Sequence, residues 1–184
     1  MKRRDWLKFL AAAPIATRTA HAAGPAKMKT VEELQKNWKS FLPVGAAMPS
    51  PAEPLKLSDQ EWSKRLAAPS YRVLRKEGTE PPGTSPLNDE KRAGIFACAG
   101  CDLPLFTSDM KFDSGTGWPS FFTTIPGVFD TKKDHYLIYP RTEYHCKRCG
   151  GHHGHVFDDG PQPTGLRYCN NGVALKFLPK DAKA

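Results

Sequence analysis

No apolar run in this 184-residue chain is long enough to cross a bilayer, so stable membrane insertion is not expected. There is also no block of like charge: the formal net charge is +8, but Lys2, Arg3, Arg4, Lys8 and Arg18 against Asp5 place half of it within residues 1–23. The remaining surplus is spread thinly, which argues against a surface that tracks a nucleic-acid backbone. No internal repeat or low-complexity tract is present, and strand-like segments do not alternate regularly with long helices, so a parallel α/β sheet is not expected. Cysteine is sparse, at five. The small number makes their spacing informative.

Hydrophobic residues make up 39% of the chain and charged residues 25%, a soluble globular composition rich in turn formers, with 17 prolines and 15 glycines. The basic start runs into the apolar stretch Leu7 to Ala16 and then into Ala20-His21-Ala22, the pattern of a cleavable export signal. Arg3-Arg4-Asp5-Trp6-Leu7-Lys8 further suits a twin-arginine leader over residues 1–23, which would deliver a folded chain to a bacterial periplasm. A general secretory signal is the alternative. Thr30 with Glu33, and Ser58 with Glu61, are capping boxes that predict two short helices, one carrying Val31, Leu34, Trp38 and Leu42 and one ending near Leu66. Prolines at 43, 49, 51 and 54 make the stretch Pro43 to Lys56 a linker, so residues 24–56 form an N-terminal helix and linker before a domain spanning 57–184. From Tyr71 onward short apolar runs separated by turn residues predict strands, among them Gly94 to Ala97, Tyr136 to Tyr139 and Val173 to Phe177.

Cys98-x-x-Cys101 and Cys146-x-x-Cys149 are two knuckles whose four sulfurs suit a closed, structural zinc site. Disulfides formed after export, or a histidine from the 152–155 stretch replacing one thiol, remain open. Cys169 is left over, in Arg167-Tyr168-Cys169-Asn170-Asn171. On a strand the two-residue period puts Arg167, Cys169 and Asn171 on one face, where Arg167 favours a thiolate and Asn171 offers a neutral amide. Upstream lie His152, His153 and His155; alternation puts His153 and His155 on a shared face, and the neighbouring glycines let His152 turn toward it. Such imidazoles suit proton transfer near neutral pH. Trp118, on the glycine-rich turn Ser114 to Phe122, could hold an apolar methyl group, although on its own such a residue is more often core packing and marks no site.

Taken together, Gly78-Thr79-Glu80, the two CxxC pairs, Asp113-Ser114-Gly115-x-Gly117-Trp118-Pro119-Ser120-Phe121, His152-x-Gly154-His155-Val156-Phe157-Asp158-Asp159-Gly160-Pro161 and Arg167-Tyr168-Cys169-x-Asn171 resemble the B-type methionine sulfoxide reductases, in the right order over about Leu57 to Leu178. The resemblance implies a mainly β fold of antiparallel, tent-like sheets with short N-terminal helices and one structural Zn2+ remote from the active site. It also implies reduction of methionine (R)-sulfoxide in oxidised proteins, with Cys169 as nucleophile and a sulfenic acid intermediate. His155 or His152 would deliver the proton, Arg167 and Asn171 would be polar active-site residues, and Trp118 and Phe157 would pack on the substrate. Many relatives carry a recycling cysteine where this chain has Thr116, and with four thiols on zinc no resolving thiol remains. An external, thioredoxin-like or other thiol reductant is therefore expected to act on a monomeric enzyme. His153 and Gly83 also depart from the family pattern. The competing readings are a zinc-ribbon binding module without catalysis and a thiol–disulfide oxidoreductase.

Overall fold

In the computed structural model, which describes residues 29–134 and 140–182, both capping boxes form. The Thr30 and Ser58 hydroxyls accept the amides of Glu33 and Glu61, and each glutamate carboxylate accepts the cap residue's own amide. The expected leader (residues 1–23) and the expected strand Tyr136 to Tyr139 lie outside the described residues.

Helix α1 (Val31–Lys36) is shorter than its periodicity predicts, because the chain tightens at once into a 3-10 turn over Trp38–Phe41 ahead of Pro43. Leu34 is buried, and the Gln35 amide donates to Thr123 Oγ1 at 3.0 Å, so this segment is docked rather than tethered. The proline-rich stretch after it lacks helix or strand, as expected, yet the Leu55 amide holds it to the carbonyl of Arg148 at 2.7 Å. Helix α2 (Asp59–Arg65) buries Trp62. A third helix, α3 (Ala68–Lys76), occupies the start of the region expected to be strands. Pro69 sits in its first turn, Val73 and Leu74 bury one face, and Glu77 stops it with a left-handed φ of 52°.

Two antiparallel sheets follow. The smaller has the order β2 (Pro104–Thr107), β1 (Gly94–Cys98), β9 (Leu175–Pro179). The larger runs β3 (Lys111–Phe112), β4 (Ser120–Phe121), β8 (Arg167–Asn170), β7 (His152–Phe157), β6 (Arg141–Cys146), β5 (Phe129–Asp134). Of the expected last strand, Val173 and Ala174 instead form a 3-10 turn and the strand begins at Leu175. Aromatic rings join the sheets: Phe106 of β2 stacks on Phe121 of β4 at 3.9 Å, and Phe96 of β1 meets Phe121 edge-on at 5.1 Å. Phe129 and Tyr168 extend the contact along the large sheet. This core leaves the opposite face of β7 and β8 free to carry polar groups.

Candidate active site

Both cysteine knuckles are built alike. The amide of Asp102 donates to the Cys98 carbonyl at 3.0 Å and that of Gly150 to the Cys146 carbonyl at 2.7 Å, with φ of 66° at Asp102 and 69° at Gly150. Each turn folds its second sulfur back toward its first. One knuckle ends β1 of the small sheet and the other ends β6 of the large one, so the four sulfurs clasp the two sheets. Cys98 Sγ lies 3.7 Å from Cys149 Sγ and Cys101 Sγ 3.5 Å from Cys146 Sγ. A tetrahedral ion with metal–sulfur bonds of about 2.3 Å spaces its sulfurs about 3.8 Å apart. The donor set is all sulfur, buried and closed, so it fits zinc; neighbouring thiols, and behind them burial, push the Cys98 thiol up, a burden that a cation removes. The four cysteines are free of disulfides, and no histidine among the described residues joins their cluster.

Cys169 stands apart, on β8, with none of those cysteines in the cavity it lines. The two-residue period holds: Tyr168 and Asn170 face the core, where Tyr144 Oη donates to Asn170 Oδ1 at 2.8 Å, while Arg167 and Cys169 face a cavity of about 240 Å³. Thr116, Trp118, His155 and Phe157 also line it. The Arg167 guanidinium carbon sits over the Phe157 ring, 4.3 Å from its centroid, and the side chain makes a two-pronged ion pair with Asp159, both contacts 2.8 Å. Burial pushes the Cys169 thiol up; Arg167 and a hydrogen bond from Thr116 pull the other way without prevailing. Arg167 does favour the thiolate, but burial outweighs it and the Asp159 carboxylate opposes it.

The histidines sort differently from their simple alternation. The β6–β7 register slips between Tyr144 and His145, so His153 bulges out of the ladder and turns into the core beside Tyr144, wholly buried. His152 and His155 share the other face, their rings 5.6 Å apart. His153 is thus a packing residue, its Nδ1 3.2 Å from Asn170 Oδ1, and burial depresses it to about 3. His155 lies directly opposite Cys169 in the β7–β8 pairing, so the two side chains project to the same side. Its Nε2 is 2.8 Å from Asp134 Oδ2, which Arg141 also holds at 2.7 Å, and burial lowers its pKa. His152 is in contact with Glu143, lowered by burial to about 4, and does not line the cavity. Gly154 between them allows the close approach of β8: a Cβ there would collide with the Cys169 carbonyl oxygen.

Asn171 lines the cavity with Arg167 and Cys169, but its side-chain amide is committed to the backbone. Its Oδ1 accepts the Glu80 amide at 2.9 Å and its Nδ2 donates to the His153 carbonyl at 3.0 Å, so the side chain stitches backbone segments beneath the cavity. The hub of this stitching is Glu80. Its buried carboxylate accepts the amides of Gly172 and Val173, and its carbonyl accepts the Trp118 indole at 3.1 Å, fixing that ring as a wall. Gly83, with φ of 75°, donates its amide to the Gly117 carbonyl at 2.7 Å and docks the same loop on the Trp118 turn. Sequence reasoning quoted Glu80 and Asp159 only as parts of motifs and passed over Asp134, Arg141 and Glu143. A carboxylate beside an arginine or a histidine across strands leaves no local spacing to find.

A family model described as the SelR domain matches residues 66–179. Among similar proteins, a peptide methionine sulfoxide reductase MsrB of Pseudomonas putida is 52% identical over 125 residues, covering 66% of this chain and 92% of the relative. One of Leptospira interrogans is 50% identical over 121 residues, 65% of this chain and 92% of the relative. The chloroplastic peptide methionine sulfoxide reductase B1 of Arabidopsis thaliana is 50% identical over 122 residues, covering 66% of this chain and 60% of its own length. With the domain matched over more than half its length and half of the aligned residues shared, the chain belongs to the SelR family, that of the B-type methionine sulfoxide reductases.

Proposed function

We propose that the chain reduces methionine (R)-sulfoxide in oxidised proteins, with Cys169 as nucleophile. The observation that carries this is the cavity: a lone, half-buried thiol opposite His155 on paired strands, walled by Trp118 and Phe157, with room for a methionine side chain. Because burial holds the Cys169 thiol up, the resting nucleophile keeps its proton, and that proton is the one the reaction needs. With Nε2–H donated to Asp134, neutral His155 presents Nδ1 as a base. It takes the thiol proton, directly or through water, as sulfur attacks the sulfoxide sulfur, and returns it to the sulfoxide oxygen. The hydroxyl passes to Cys169, the substrate leaves as the thioether, and Cys169 is left as a sulfenic acid. His152 is set aside as the donor, since it does not line the cavity. Trp118 and Phe157 hold the substrate's apolar groups, and Arg167 with Asp159 shapes the polar wall beside the sulfur.

Recycling follows from the cysteine arrangement. The other four cysteines lie together in the metal cluster, and Thr116 holds the position beside Cys169. Two equivalents of an external thiol reduce the sulfenic acid, releasing water and a disulfide of the reductant. The cluster carries one structural Zn2+, the molecule works as a monomer on residues 57–184, and residues 1–23 are a twin-arginine leader for periplasmic export. The paired arginines, apolar stretch and small-residue site support the last point. A binding module without catalysis is disfavoured, since it gives no reason for Cys169 to line a cavity with His155 and Trp118.

Separated R and S sulfoxides incubated with dithiothreitol test the reading. The wild type is expected to reduce the R form alone and Cys169→Ser to lose activity; an inactive wild type or an active variant overturns it. Non-reducing mass spectrometry after one turnover is expected to find no disulfide from Cys169 to another cysteine of the chain.

A further inference from the structure

We propose that Glu143, His145 and His152 form a second metal site, for a divalent transition ion of the zinc or iron type, separate from the four-cysteine cluster. Their ligand atoms lie within 4.8 Å of one another, on the face of β6 and β7 opposite the core. Two imidazoles and one carboxylate are the donors such ions prefer, and three protein ligands leave coordination positions open.

Hydrogen bonding points to a cation. His145 Nδ1 lies 3.3 Å from the Gly150 carbonyl, which can only accept, so in the neutral ring Nδ1 carries the proton and Nε2 bears a lone pair. That Nε2 sits 3.0 Å from Glu143 Oε1, itself an acceptor, so with the ring neutral two lone pairs face each other. His152 Nδ1 contacts the same oxygen. None of Glu143 Oε1, His145 Nε2 and either ring nitrogen of His152 has a hydrogen-bond partner among the described residues, and all are buried atoms. With His145 neutral, one proton on His152 Nδ1 satisfies one of these contacts but not both; one metal ion between the three atoms satisfies both.

The surroundings are those of a built site. The His152 side chain is 98% buried and Glu143 nearly as much, while His145 remains partly open as a route of entry. The Gly150 carbonyl on His145 is the usual outer partner of a ligating histidine, fixing its tautomer and ring plane. Glu143 binds through one oxygen only, since Lys132 Nζ holds Oε2 at 3.1 Å and is itself held by Glu77 at 2.6 Å. His155, the next ring along, is committed to Asp134 and stays outside the set.

The full chain, with its four-cysteine site loaded with zinc, is titrated with Co2+ alone and followed by absorption. A second equivalent with weak visible bands and no sulfur-to-cobalt charge-transfer band in the near ultraviolet is expected. His145→Ala is expected to weaken that equivalent by more than about tenfold, the scale set by outer-shell losses alone. Glu143→Gln should act likewise, and the tightly held first ion should remain in both. One ion per chain in the wild type, or a second ion that both variants bind as well as the wild type, overturns the proposal. Because the readout is metal binding, loss of the reductase reading would leave this result standing, and the reverse.

Discussion

Cys169 is set by opposing influences of unequal reach. Burial removes water from the thiolate and raises its pKa, whereas Arg167 lowers it from beside an exposed Asp159 that takes part of its charge. A thiol raised in this way reacts slowly at neutral pH, and its reaction with iodoacetamide should climb about tenfold per pH unit through pH 7–9, as the thiolate fraction does. Replacing Arg167 with Met removes a lowering influence and leaves burial in place, so the inflection should move to higher pH and the rate at pH 8 should fall. The measurement is the alkylation rate of Cys169 by mass spectrometry across pH. An inflection that stays put or moves down would show that Arg167 acts only as packing on Phe157. At this scale the legible part was the identity of Cys169, since a solitary cysteine beside two CxxC pairs stands out on spacing alone. The illegible part was the sign of its net shift, which depends on how much water the fold excludes.

Among the elements, β7 and β8 carry the chemistry and the loop at Glu80 holds them in place. Glu80 accepts the Gly172 and Val173 amides, donates its own amide to Asn171 and receives the Trp118 indole on its carbonyl. Glu80→Ala would leave two amides without their carboxylate, one of them buried, and should cost about 2 kcal/mol or more, read as a lower urea midpoint with unchanged slope. The variant's KM for the sulfoxide should rise more than its kcat falls, because the wall loosens while Cys169 and His155 stay on their strands. A midpoint within error of the wild type would contradict this account. The bulge at His153 belongs to the same scale. Three neighbouring histidines read as one functional cluster, yet a single extra residue in β7 sends His153 into the core and keeps His152 with His155. Alternation alone cannot reveal a bulge, because the bulge is decided by pairing with β6.

At the scale of the molecule, the described residues build two sheets that touch through aromatic rings and are clasped by four cysteines. One knuckle ends a strand of each sheet, so a bound ion cross-links elements 45 residues apart or more. Structural zinc contributes about 10–16 kcal/mol of apparent binding energy, as much as the whole stability of an ordinary domain. Stripping the metal with a strong chelator under reducing conditions should therefore abolish the cooperative thermal transition or lower its midpoint by tens of degrees. Cys101→Ser should behave as the stripped protein does, while Cys169→Ser keeps the wild-type transition. Differential scanning calorimetry checks all three, and a chelated chain that melts like the untreated one would mean that the aromatic core alone holds the sheets together. That core carries its own weight: Phe121, stacked on Phe106 and edge-on to Phe96, is wholly buried at the junction.

The amino-acid sequence alone was enough for whatever lies in local spacing: the two capping boxes, the paired CxxC knuckles, the alternation along Arg167 to Asn170 and the isolation of Cys169. These depend on residues a few positions apart, where backbone geometry leaves few choices. Tertiary structure decided the rest. It made a helix of Ala68–Lys76 by burying Val73 and Leu74. It turned Asn171 into a brace by bringing the Glu80 amide to its side chain, and it set Asp134 on His155 and Asp159 on Arg167. It also brought His145 and His152 to one carboxylate oxygen of Glu143. In each case the deciding group lies on another strand or loop, and its effect depends on burial and on pairing register, which become definite only once the sheets have formed.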